Sequence, residues 1–350
     1  MNRRQFSVLG LIGGLAAAGF MPLSAGAQPL PDAIRMVIGS NAVSGDTYQN
    51  ASIIAEALSA HLGIKVKVDA VGISEAFKAV GRDPRGTTVM FHHDQSYLSH
   101  LYGVRGFSDI FSAYKVGPVV SVNPGNAYLV PKQSPYQSVD DLLKAAADGT
   151  RIRVGIQAGG VSEIGYSALK NAARLAKPGS EANIVAVNSG SQADKNQQLF
   201  DGQVEVINGS VQANEQFTRL PDDDQKAMRF LWLTASREII EEAPEAGFGQ
   251  TSREQLLQYV TPAMRVTLDG QQDFVFDKDF FLLYNKDMPD EMVKAIDEAL
   301  AAIYAKGDIQ KTLKSSFFIP HFLPSQEAAA YLKTKDGNYR QVIEAIAAKN

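Results

Sequence analysis

The feature that most constrains this chain is a repeated alternation of short apolar runs with segments of helical period. Residues 34–39, 65–70 and 87–91 read as strands. Between them Ile54, Leu58 and Leu62 recur at four-residue spacing before Gly63, and residues 75–80 predict a second helix. Strands that alternate with helices imply crossover connections, so this order predicts a parallel sheet covered by helices. The pattern then starts again. Residues 116–122, 127–130, 151–156, 184–187, 204–208 and 228–234 read as strands, with helices over 164–175 and 192–200 and another opening after Ser138. Beyond them, residues 280–284 predict a strand, Pro289 opens a helix, and Tyr339, Val342, Ile343 and Ile346 mark a last one. Two α/β units in series, followed by helices that need a surface to cover, predict two lobes.

A length of 350 residues suits about two domains at roughly 150 residues each. Residues 1–27 read as a cleaved leader: Arg3 and Arg4 form a basic start, residues 8–20 are apolar, and Ala25-Gly26-Ala27 fits a small-x-small cleavage site. The apolar stretch is shorter than the ~20 residues a spanning helix needs. The arginine pair also fits the twin-arginine export route. Removing the leader takes away two basic residues and no acidic ones, moving the formal charge from −4 to −6. No basic run suits nucleic acid, so none is expected as a partner. The absence of cysteine fits an oxidising compartment, and excludes both thiol nucleophiles and a lipid-bearing N-terminal cysteine.

Several spaced motifs carry a family likeness. Ser44-Gly45 precedes Thr47, and the helix through Ile53-Ile54-Ala55-Glu56-Ala57-Leu58 ends at Leu62-Gly63. Ser138-Val139-Asp140-Asp141-Leu142, Asp201-Gly202-Gln203-Val204-Glu205 and Met288-Pro289-Asp290-Glu291-Met292-Val293 follow in order. Colinear over residues 33–345, these resemble the substrate-binding receptors of tripartite tricarboxylate transporters, the Bug or TctC family. The resemblance implies an α/β chain of the type II periplasmic-binding-protein fold, a Venus flytrap whose two lobes are joined by two crossover strands around a ligand cleft. Lobe 1 is expected to comprise residues 28–124 and 236–350, and lobe 2 residues 125–235. The resemblance further implies a monomeric periplasmic receptor that hands a small carboxylate, either a di- or tricarboxylate or an aromatic acid, to membrane permease subunits.

The loops support a carboxylate site on physical grounds as well. Ligands of open α/β sheets bind beyond the carboxyl ends of strands, where free N–H groups at helix N-termini favour anions. Three loops qualify: the first supplies Ser44, Gly45, Thr47 and Tyr48, the second Gly159, Gly160 and Ser162, and the third Ser189 and Ser191. Each also reads as a plain turn or helix cap. The family's glycine pair is Ser44-Gly45 here, its usual acid falls at Tyr48, and a family histidine is replaced by Ile164. His92-His93 ends a strand, so the two side chains are expected to point to opposite faces, with His93 taken as the ligand-facing one. Asn208 ends another strand.

Rival chemistries lack their signatures. No G-x-S-x-G elbow, H-E-x-x-H, phosphate-binding P-loop or leading dinucleotide fingerprint occurs. No enzyme activity, cofactor or metal is therefore expected. A receptor for another transporter class, or for a membrane sensor, would carry the same fold and remains an alternative at this level.

Overall fold

The computed structural model describes residues 30 to 347 apart from 42 and 44. The expected leader over residues 1–27 lies outside that range, as does Ser44. Eleven strands fall into two mixed sheets. The first sheet takes β1 (Ala33–Ile38), β2 (Lys65–Ala70), β3 (Thr88–His93) and β4 (Tyr114–Asn123). The second takes β5 (Ala127–Pro131), β6 (Ile152–Ile156), β7 (Ile184–Asn188), β8 (Val206–Gly209) and β9 (Met228–Leu233). The chain then returns to the first sheet with β10 (Lys278–Asn285) and β11 (Ile319–Leu323). Strand orders are β11-β4-β10-β3-β1-β2 and β7-β6-β8-β5-β9.

Each sheet has a parallel half and an antiparallel half. β1 pairs in parallel with β2 and β3, whereas β10 runs antiparallel between β3 and β4. In the second sheet β6 is parallel to β7 and β8, and β5 is antiparallel to β8 and β9. Both faces of the first sheet are buried, which explains its nearly continuous apolar strands. Met36, Ile38, Val89 and Phe91 pack on one face under the helices Asp46–Leu62 and Asp290–Lys306, through Ile54, Leu58, Ile296 and Leu300. Val37 and Met90 alternate onto the other face. The predicted punctuation is realised: Gly63 closes the first helix with a left-handed residue, and Ser138 opens another with a full capping box to Asp141.

Several elements escaped the sequence reading, among them β11, the helix Gln95–Leu101 and the helices Val211–Thr218 and Asp308–Ser315. β11 is an edge strand carrying Pro320, whose missing donor blurs a strand pattern but is tolerated at an edge. The helix Gln95–Leu101 has its first turn in polar residues. One packing result also departs from the expected boundary at residue 235. Ile240, Ala243, Leu256 and Val260 bury in one cluster with Leu129, Ile207, Met228 and Phe230, so this segment covers the second sheet.

The chain passes between the sheets twice, from β4 to β5 and from β9 to β10, and three segments of these passages are tied together at Thr234. Its backbone N–H donates to Asn126 O at 2.9 Å, and its hydroxyl accepts from Asn126 N at 2.8 Å and donates to Phe276 O at 2.9 Å. Gly125 (φ 53°) lies so close to this knot that a side chain there would overlap Thr234 and the Phe276 carbonyl. The C-terminal helix Ser325–Ala347 seals the junction through buried Lys335, which meets Asp94 at 2.7 Å as well as Asp279. Burial alone would strip this lysine's proton, but the two carboxylates hold its pKa well above the usual range.

Candidate ligand-binding crevice

The register of β3 creates the crevice. β1 ends at Ile38 opposite Phe91, so His92 and His93 run past their parallel neighbour while still pairing with Phe281 and Phe280 of β10. Gly39 and Ser40 lead away from β1, Thr47 enters from the first turn of the helix Asp46–Leu62, and Ile73, Gln95 and Phe107 complete that wall. Gln157, at the end of β6, faces them from the second sheet. These residues enclose a cavity of about 350 Å³, within the range of small-molecule sites. None of its lining side chains is Lys, Arg, Asp or Glu.

His92 meets Phe77 and His93 meets Phe280, yet the two imidazole rings also touch each other, with centroids 4.6 Å apart, so the expected split to opposite faces does not separate them. Both line the crevice, which opens beside β3 where β1 has ended. His93 Nδ1 accepts from Gln95 N at 3.2 Å, which leaves its proton on Nε2. His92 is 4% exposed and neither ring nitrogen has a partner. Burial, with Lys278 adding to it, pushes the His92 pKa down to about 3, so the ring is neutral. Burial, His92 and Lys278 depress His93 as well. An unpaired buried polar group costs ~1–3 kcal/mol, and such groups cluster at functional positions.

Two of the corners expected to favour an anion differ: one is open and one is filled. The helix Asp46–Leu62 starts at Gly45 (φ 101°) with no side-chain cap, and Asp46 turns away to pair with Lys278 at 3.1 Å and accept from Asn123 Nδ2 at 2.7 Å. Among the described residues no carboxylate caps its first-turn amides beside Thr47. In the Gln157–Ser162 loop, by contrast, Gly159 N donates to Glu163 Oε2 at 2.5 Å, so the chain supplies its own anion there.

The same loop is stitched to the first lobe. Ser99 Oγ and Gln95 Nε2 donate to Gly159 O at 2.6 and 3.0 Å, and Val161 N donates to Gln95 Oε1 at 3.0 Å. A Cβ on Gly160 would overlap the Gln95 amide. Both glycines are buried in this seam, where close approach and, at Gly159, a positive φ of 84° account for them. Ser162 turns inward: its hydroxyl accepts from Gln157 N at 3.0 Å and donates to Asn208 Oδ1 at 2.6 Å. Lys195 Nζ reaches both, at 3.3 and 3.0 Å, and Asn208 Nδ2 is spent on Ser162 O and the Tyr128 hydroxyl. Lys195 is 2% exposed and forms no ion pair among the described residues. Burial brings its pKa down to about 7.

Of the residues singled out from sequence, Thr47 and His93 face the crevice. Gly45 and Tyr48 open instead into a separate hollow formed with Gln49, Ser52, Thr312 and Ser316. Ser189 Oγ donates to Gln198 Oε1 at 2.6 Å, and Ser191 caps the next helix by accepting from Asp194 N at 3.1 Å, the plain cap the turn also suggested. Ser162 and Asn208 form the buried floor behind Gln157. Sequence reasoning missed Gln95, Ile73, Phe107 and Lys195. Gln157 opened the second candidate loop without being singled out; Lys195 sits in a polar helix segment that reads as exposed.

No family model matches the sequence, and no curated protein matches it. Solved structures do match in fold. A TctC solute-binding protein from Polaromonas, without ligand, is 16% identical over 89% of this chain and 97% of its own, with a TM-score of 0.63. A protein from R. palustris with adipate is 18% identical over 91% and 98%, with a TM-score of 0.66. MatC from Rhodopseudomonas palustris with bound malate is 16% identical over 90% and 100%, with a TM-score of 0.60. At these identities the likeness is one of fold, and the chain has the two-lobed periplasmic-binding-protein architecture that its sequence predicts.

Proposed function

We propose that this chain is a periplasmic receptor that captures a small carboxylate between its lobes and delivers it to membrane permease subunits of the tripartite tricarboxylate type. One observation carries the reading: Thr47, His92 and His93 from one lobe and Gln157 from the other converge on a single cavity. Support comes from the shared fold, since one similar structure holds malate and another adipate. Thr47, His93 and the uncapped amides of the helix Asp46–Leu62 are the groups assigned to the carboxylate, with Gln157 closing over it. A helix N-terminus contributes ~0.3–2 kcal/mol toward an anion, and each hydrogen bond to a charged group ~1.5–3 kcal/mol.

Binding and closure are linked. The lobes rotate about the passages near Asn126 and Thr234, and the solute favours the closed form by contacting both walls. The membrane subunits then read the closed surface. The function is capture and hand-over rather than turnover, and the leader places the receptor in the periplasm. Among the described residues no helix is long and apolar enough to cross a membrane.

Thermal-shift screening of ligand-stripped protein against mono-, di- and tricarboxylates tests the reading. A true ligand at 100 times its Kd adds ~2.7 kcal/mol of stability. A flat response across the whole panel removes the proposal.

A further inference from the structure

The crevice contains one group that nothing yet described satisfies. Among the described residues, His92 is the only crevice-lining side chain with buried polar atoms left unpartnered, and both of its ring nitrogens are in that state. Its ring is held in place by packing: Gly39 lies so close that a Cβ there would come within 3.2 Å of Cε1 and Nε2, and Phe77 meets the ring edge-on at 6.2 Å. The imidazole is therefore a fixed, buried group on the crevice wall whose hydrogen-bonding capacity no described residue meets. Around it Ile73 and Phe107 supply the apolar part of the wall, the Gln95 and Gln157 amides are already bonded to Gly159 O and Gly190 O, and no lining residue is Lys, Arg, Asp or Glu. The nearby cation, Lys278, is already committed to Asp46 at 3.1 Å.

We infer that His92 binds the ligand carboxylate directly, and that this crevice selects monocarboxylates whose body is apolar or aromatic. The inference rests on the carboxylate-receptor reading above and narrows it. One carboxylate can be met by neutral donors, namely His92, Thr47 and the open helix amides. A second or third carboxylate would be desolvated with no charged side chain to meet it. A flat or aliphatic body instead gains contact with Ile73, Phe107 and the faces of the two imidazoles.

Calorimetric titration of benzoate, phenylacetate, malate and citrate into wild type, His92→Phe and His92→Gln decides the matter. Benzoate or phenylacetate should bind wild type at least roughly tenfold tighter than malate or citrate. His92→Phe should weaken the preferred monocarboxylate by roughly tenfold or more, while its melting temperature holds or rises because an unpaired polar group is gone. His92→Gln, which restores an N–H donor, should recover most of the affinity. Citrate or malate binding tightest to wild type overturns the inference, as does unchanged benzoate affinity in both variants. These outcomes leave the receptor reading intact. Binding of none of the four acids overturns the inference, and the wider thermal-shift panel then decides the receptor reading separately.

Discussion

The two walls of the crevice treat their polar groups in opposite ways. On the first-lobe wall the helix Asp46–Leu62 lacks a side-chain cap and His92 has no partner. On the second-lobe wall Glu163 fills the glycine loop's amide, and Ser162, Asn208, Tyr128 and Lys195 consume one another's donors and acceptors. A wall with unmet hydrogen-bonding capacity gains from a ligand, whereas a wall already satisfied gains only shape and exclusion of water. Under the proposed function, recognition is therefore concentrated on the first lobe, and the second contributes Gln157 to the crevice lining.

The sharpest test of the satisfied wall uses Lys195. Its folded pKa of about 7 lies below the unfolded 10.5, so between those values the unfolded chain holds more protons and stability rises with pH. The full penalty, about 5 kcal/mol, is present below pH 7 and fades toward pH 10.5. Lys195→Met should remove that slope in urea titrations run from pH 7 to 10.5; a parallel slope in wild type and variant would show that the amine is not desolvated. Next in size, Asn208→Ala should cost about 3 kcal/mol in chemical denaturation, because the Lys195 ammonium and the Tyr128 hydroxyl lose a buried partner together. Its ligand affinity should stay near wild type once folded. Thr47→Ala should behave inversely, weakening the best carboxylate about tenfold in calorimetry with no change in melting temperature. Smallest of all, Tyr48→Phe should leave affinity within about twofold, since its side chain opens into the separate hollow. A large loss there would move the site across the helix.

Much of the fold was legible because it rests on local signals. β2 was read with its observed limits, the helix Gln192–Phe200 likewise, and Gly63 and Ser138 marked a helix end and a helix start by their backbone and side-chain chemistry. The site was legible only as a set of loops. Thr47 and His93 fell inside the crevice, but hydroxyls look alike in sequence whether they face a ligand or cap a helix, and Ser191 did the latter. The spacing of Gly159-Gly160 announced a tight approach without saying that the approaching group would be Gln95.

What the sequence determined by itself was the period of each element and the order of β and α segments, because strand alternation and helical spacing are properties of neighbours along the chain. That order also implied two lobes and corners suited to a small ligand. Only the tertiary structure decided which polar groups are already paired. Hydrogen-bond satisfaction depends on partners far away in the chain: Ser162 is taken by Asn208, and Gly159 by Ser99. His92, by contrast, is enclosed by Gly39 and Phe77, neither of which offers its ring a hydrogen bond. Burial of a polar atom without a partner arises only when separate segments close around it, and that closure singles out His92.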